Sequence, residues 1–294
     1  MPARRLPLFC DTALAGRIER AEAQVIAEAS RAVRRRRADA ADFVIPVAGG
    51  VACFAEEGSP LNKVAGLGFG GVPGPAALDE IERAYAACGA PVQIELAHLA
   101  DPEIGAVLRG RGYRLVSFEN VLGFDLGLDP GGQPGRAAPP GIEVRVSGED
   151  EFGAWLDVVV EGFLYPDTPG APGHEELPRE ILESVERDLA TAAGVARYIA
   201  LRDGVVVGGA FFRVAGGLAQ FAGAATLAAH RRRGVQTALL SARLADAAAA
   251  GCELAVITTA PGSVSQQNAQ RCGFDLLYTR AVLVGPRRDG GRPA

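Results

Sequence analysis

Residues 226–240 read TLAAHRRRGVQTALL. A run of small and apolar residues, LAQFAGAATL at 218–227, has the character of a strand and leads into this stretch. A turn follows that holds three consecutive arginines and closes on Gly234. Val235, Ala238, Leu239, Ala242 and Ala245 then fall on one face of a helix. The first N–H groups of a helix have no intrahelical acceptor and carry partial positive charge. A bent turn in front of them makes a nest for an anion. Gly234 lacks a Cβ, so a phosphate can approach the backbone there. Arg231, Arg232 and Arg233 add forked donors suited to a diphosphate. The other reading, a basic surface turn before an ordinary amphipathic helix, stays open on spacing alone. No Gly-Lys-Ser/Thr follows as a P-loop requires, and G-x-G-x-x-G is absent here.

Working outward, the second half of the chain predicts the order βααβββαβαβ. Strand 142–146 precedes a helix at 149–163, on which Phe152, Leu156, Val159 and Phe163 repeat at helical spacing. A Pro/Gly-rich loop and a second helix at about 178–191 follow. Asp203-Gly204 and Gly216-Gly217 are hairpin signals between three strands. After the helix that opens near Gly234 come the buried strand ELAVIT, a short helix and a last strand. This pattern is α/β (α+β), a mixed and mostly antiparallel sheet covered by helices.

The first half echoes the second. VQIELAHLADPEIGAVLRGRGYRLVSFENVLGFDL at 92–126 and CELAVITTAPGSVSQQNAQRCGFDLLYTRAVLVG at 252–285 both read strand, short helix, Gly-aromatic turn, strand. Gly112-Tyr113 answers Gly273-Phe274. The boundary expected between the halves is the Pro/Gly-dense stretch 131–141. The domains expected are thus 1–130 and 142–286, with 287–294 a disordered tail.

Arg231-Arg232-Arg233-Gly234-Val235-Gln236 resembles the acyl-CoA motif of the GNAT superfamily of N-acetyltransferases, Gln/Arg-x-x-Gly-x-Gly/Ala. The preceding strand, the following helix and the Gly273-Phe274 turn match the family order over about 142–286. The resemblance implies acetyl-CoA as co-substrate. It implies that Ala224, Ala225 and Thr226 pair with the pantetheine arm as an added strand, and that Arg231 to Thr237, with Val235 and Gln236 among them, hold the pyrophosphate. A splayed gap beside ELAVIT would hold the thioester, and an N–H near Ala225 or Thr226 would stabilise the oxyanion. The first half then looks like a degenerate second copy. Its matching region, GLGFGGVPGPAALDEIERAY at 66–85, lacks the arginines, and Pro73 and Pro75 remove N–H donors.

This chain departs from the family pattern in three places. Gln236 stands where Gly or Ala is expected, either crowding the diphosphate or donating to it. Ala269 stands where many members carry a general-acid Tyr. No Glu lies on LAQFAGAATL, whose only amide is Gln220. Glu161 and His174 are the leading candidates for a base, with Glu175 and His230 behind them; each is also an ordinary surface residue by type. Ser263 and Asn268 offer polar contacts to the cofactor from the short helix, although Ser263 also suits that helix's N-cap. Tyr165 and Asp167 lie in the loop expected to face the acceptor.

The 294 residues suit two domains, and 48% hydrophobic with 22% charged residues suits a soluble globular protein. A net charge of -5 argues against a nucleic-acid partner. The basic run Arg34–Arg37 reads as a solvated helix end. No apolar stretch approaches the roughly 20 residues of a membrane span, and Met1–Cys10 has no signal-peptide core, so a cytoplasmic protein is expected. Five cysteines at irregular spacing and three histidines give no metal pattern. The expected partner is a small-molecule or peptide amine. A non-catalytic CoA-binding or scaffold module is the competing reading.

Overall fold

The computed structural model describes residues 6–38, 40–127, 139–166 and 177–287. In chain order the elements are α1 (Thr12–Arg36), β1 (Phe43–Val47), β2 (Gly50–Phe54), β3 (Lys63–Ala65), α2 (Pro75–Ala87), β4 (Gln93–Ala97), α3 (Glu103–Gly110), β5 (Arg114–Asp125), β6 (Ile142–Val146), α4 (Phe152–Leu164), α5 (Arg179–Ala190), β7 (Val195–Arg202), β8 (Val205–Ala215), β9 (Leu218–Thr226), a 3-10 turn (Ala228–His230), α6 (Val235–Ala249), β10 (Leu254–Thr259), α7 (Val264–Arg271) and β11 (Asp275–Val284). The order expected from the sequence for the second half is present element by element.

Two compact units form, and they interleave along the chain. The first comprises Met1–Asp11, Asn120–Ala171 and Gly194–Tyr278; the second comprises Thr12–Glu119, Pro172–Ala193 and Thr279–Ala294. Boundaries between the units therefore fall inside β5 and β11, and α5 belongs with the N-terminal elements; most of the expected linker, 131–138, and the expected tail, 288–294, lie outside the described residues. Packing decides this. Arg36 at the end of α1 binds Asp188 of α5 through two hydrogen bonds of 3.0 and 2.6 Å. Those bonds raise the guanidinium's pKa above its ordinary value. Much of the basic run thus serves as an ion-paired helix end: Arg34 binds Asp42 and Arg36 also reaches Glu56. Cations there also suit the negative end of the α1 dipole.

In the second unit β1, β2, β3, β4 and β11 lie side by side in that order. Val64, Leu78, Ile81, Tyr85, Ile94, Ile104 and Leu108 form its core. The element order from β1 to β5 repeats the order from β7 to β11. The turn after β3 has spent its amides: Gly68 and Gly70 both donate to Ala48 O, at 3.1 and 3.0 Å. A Cβ at Gly70 would lie 2.6 Å from the Gly49 nitrogen, so only glycine permits this packing.

In the first unit the order is β5, β10, β9, β8, β7, β6. Only β9 and β10 pair in parallel; the other pairs are antiparallel. Both expected hairpin turns have two residues at positive φ, Asp203-Gly204 at 53° and 77° and Gly216-Gly217 at 54° and 75°. That geometry matches the twist of the flanking strands. α4 lies against β8 and β9. Its Trp155 is fully buried and donates from Nε1 to Ala210 O at 3.1 Å. On the opposite face Val235, Leu239 and Leu244 of α6 pack with Phe212, Phe221 and Phe274. Each buried aliphatic side chain of this kind contributes about 1.5–3 kcal/mol.

Candidate acyl-donor site at the end of β9

β9 and β10 are paired from Leu218↔Leu254 to Phe221↔Ile257 and no further. Beyond that point β9 keeps only its β8 partner. The cause lies in β9. Between the registered pairs Phe211↔Ala222 and Gly209↔Ala225, one residue of β8, Ala210, faces two of β9, Gly223 and Ala224. The extra residue is a bulge around Gly223, whose φ is 59°. A bulge bends its strand and adds local twist, which accounts for the loss of pairing between Ala222–Thr226 and β10. The sequence reading expected a splayed gap beside ELAVIT; in the structure the ladder between β9 and β10 ends before Ala224, Ala225 and Thr226.

β9 leads through the 3-10 turn to the arginine turn. Arg232 adopts φ 58° and Gly234 φ 84°, so the backbone turns sharply twice before α6. α6 starts with no side-chain cap and no acidic residue in its first turn. The first helical donor with a partner is Ala238, whose N–H reaches Gly234 O at 2.9 Å. Among the described residues, the amides of Arg232, Arg233, Gly234, Val235, Gln236 and Thr237 have no protein acceptor. An anion at this helix start would satisfy donors that the protein itself leaves open.

The three arginines do not share one task. Arg231 turns back: Nε donates to Thr226 O at 3.1 Å, and Nη2 to Gly162 O at 3.1 Å and to Tyr165 O. Its guanidinium caps the last carbonyls of α4 and fixes that helix to the end of β9. The sequence reading placed Arg231 on the diphosphate; in the structure its side chain bonds these three carbonyls. Arg232 and Arg233 are exposed. Gln236 neither crowds the turn nor points out of it. Its Nε2 donates to Thr226 Oγ1 at 2.9 Å, tying the start of α6 to the end of β9.

Gly234 has a second role that its sequence position did not reveal. A Cβ there would lie 2.5 Å from Cγ of Pro139, so the space freed by glycine is filled by the chain entering β6. Gly162 works in a comparable way on α4. A Cβ there would meet the Ala225 Cβ at 2.6 Å and the Thr226 nitrogen at 3.2 Å. Its absence lets the last turn of α4 lie directly on the bulged end of β9, with Glu161 the residue before it. A glycine in the last turn of α4 and one just before α6 are the sequence signals available for the two contacts.

Of the other candidates, Ser263 is the N-cap of α7, its Oγ accepting from the Gln266 N–H at 3.1 Å. Asn268 is half-buried on the same helix. Ala269, at the family's tyrosine position, is fully buried in the core beside Phe274. Gln220, where a strand Glu would be sought, is buried and accepts from Arg213 Nη1 at 3.0 Å. His230 lies in the 3-10 turn. His174, Glu175 and Asp167 lie outside the described residues. Among the described residues no group of three or more His, Cys, Asp or Glu is placed to hold a metal, and no helix is long and apolar enough to cross a membrane.

Residues 163–274 match the sequence model of the acetyltransferase (GNAT) family. No curated protein matches the chain in sequence. Among solved structures, a GCN5-related N-acetyltransferase from Kribbella flavida is similar over 90% of this chain and 95% of its own, with TM-score 0.61 and 23% identity. A tandem GNAT protein from the clavulanic acid biosynthesis pathway, solved without acetyl-CoA, is similar over 90% and 89%, with TM-score 0.58 and 14% identity. A GCN5-related N-acetyltransferase from Sphaerobacter thermophilus covers 72% of this chain and 66% of its own at TM-score 0.51 and 18% identity. At these identities the likeness is one of fold. The matched segment runs from the end of α4 through the bulge, the arginine turn and α7, so it is residues 163–274 that match as a domain of the GNAT acetyltransferase family.

Proposed function

We propose that the protein is an N-acyltransferase that moves an acetyl or other short acyl group from acyl-CoA to an amine. The observation that carries this reading is the gap opened where β9 leaves β10, next to a helix start with six unpartnered amides. In this reading the amides of Arg232 to Thr237, with the exposed Arg232 and Arg233, hold the diphosphate. The free edge of Ala222–Thr226 pairs with the pantetheine arm. The amine nitrogen attacks the thioester carbonyl, and a main-chain N–H of the bulge stabilises the oxyanion. The C–S bond then breaks, the thiolate takes up a proton and the amine nitrogen gives one up.

Glu161 is the base we assign among the described residues, because Gly162 beside it touches the reacting end of β9. The acceptor is a small-molecule or peptide amine. A competing reading, a CoA-binding module without catalysis, is favoured by one observation: Ala269 is fully buried where an acid would stand.

Calorimetric titration with acetyl-CoA, followed by a thiol-release assay over a panel of amines, separates these readings. Binding with amine-dependent thiol release supports the enzyme. Binding with no release across the panel supports the module, and no binding at all overturns both.

A further inference from the structure

Arg243 lies on the buried face of α6, two turns after the helix start, and is fully buried. No carboxylate lies within ion-pairing distance of it among the described residues. Its nearest polar partners are carbonyl oxygens. Nη1 donates to Phe211 O at 3.0 Å and to Ala222 O at 3.4 Å, and Nε donates to Leu239 O at 3.1 Å. The guanidinium carbon stands 4.6 Å from the centre of the Phe221 ring. Nη2 is buried with no partner. Burial without a counter-charge pushes the guanidinium's pKa down to about 9.

A cation in this state is costly, and an apolar side chain of similar volume would fill the space at less cost. The position of its contacts gives it a purpose. Phe211 and Ala222 are the last registered pair before the bulge. A bulge interrupts the ladder, so carbonyls beside it lose their strand donors. Arg243 supplies one nitrogen to both carbonyls and lies against the ring of the residue between Gln220 and Ala222. It thereby holds the bulge from the α6 face, while Gly162 and Ala225 meet on the α4 face.

We infer that Arg243 is a positioning residue for acyl transfer: it pins the β9 bulge and so sets the splay of β9 from β10 on which the acyl-donor gap depends. This inference rests on the proposed function for its catalytic consequence, but the pinning itself is measurable without turnover.

The test uses the full-length protein with Arg243→Met and Arg243→Lys. Hydrogen–deuterium exchange should be faster by about tenfold or more at the amides of 222–226 in Arg243→Met, with the β7–β8 pairs unchanged. Acetyl-CoA affinity, carried mostly by the arginine turn, should stay within about threefold of wild type. With an amine acceptor, kcat should fall about 10–100-fold, as expected for a misplacement of under an ångström or so. Arg243→Lys, which keeps the charge and loses the fork, should lie between, and it stands in should the Met variant fail to fold. Unchanged exchange at 222–226, or a lowered melting temperature with unchanged kcat, overturns the inference. Wild type that neither binds nor turns over acetyl-CoA overturns the proposed function instead, and the exchange measurement still decides whether Arg243 pins the bulge.

Discussion

Substituting the three arginines one at a time by Gln separates their roles. A basic turn read from sequence alone makes them equivalent phosphate ligands. The structure divides them: Arg231 makes hydrogen bonds to Thr226 O, Gly162 O and Tyr165 O, while Arg232 and Arg233 are exposed. Hydrogen bonds to a charged group contribute about 1.5–3 kcal/mol each in mutational series, and they are not additive within one fork. A cation at the C-terminal end of a helix adds about 0.3–1 kcal/mol. Glutamine can keep one of the bonds, so a net loss of about 2 kcal/mol is expected for Arg231→Gln. In a domain of this size that lowers the melting temperature by about 4–8 °C. Arg232→Gln and Arg233→Gln should leave melting within about 1 °C, because exposed substitutions rarely cost more than about 0.5 kcal/mol. Acetyl-CoA affinity should show the reverse pattern, with each of the latter two weakening binding by about three- to tenfold. Differential scanning fluorimetry and calorimetric titration on the same preparations provide both numbers. Arg231→Gln melting like wild type while losing affinity as much as its neighbours would refute the division.

Gly234→Ala forces a left-handed backbone on a residue with a Cβ, at about 1–2 kcal/mol, and drives that Cβ to within 2.5 Å of Pro139. Both a lower melting temperature and a weaker titration with acetyl-CoA are expected. Glu161→Gln should lower kcat about 10²–10⁴-fold with little change in acetyl-CoA affinity; an unchanged kcat would move the base elsewhere. Glu186 of α5 is buried, its carboxyl pushed up to about 8 by desolvation alone. Between the ordinary value of 4.5 and about 8 the unfolded chain gives up this proton while the folded one keeps it, so the contribution to stability falls as pH rises. Glu186→Gln should therefore melt several degrees above wild type at pH 7.5 and level with it at pH 4.5, and equal melting at both would show that the carboxyl is not desolvated.

The sequence by itself determined the order of elements in the second half. Hydrophobic spacing marks helices and strands locally, and the positive-φ residues at 203–204 and 216–217 mark their own turns. It also located the arginine turn, because an uncapped helix start after a strand is written in a few adjacent residues. What it left open depends on contacts between distant positions. Three arginines in a row have one composition, and only the carbonyls at 162 and 165 draw Arg231 out of the group. The boundary at 131–141 follows composition. The units interleave because α5 carries Asp188 to Arg36 and β11 carries Arg280 to a buried pair with Glu19 at 2.7 Å. The end of the β9–β10 ladder comes with one extra residue in β9, and Arg243, Gly162 and Gln236 meet that part of β9 from other elements. Local periodicity records which face of an element is buried; which atom of a distant element meets it is decided only when the faces pack.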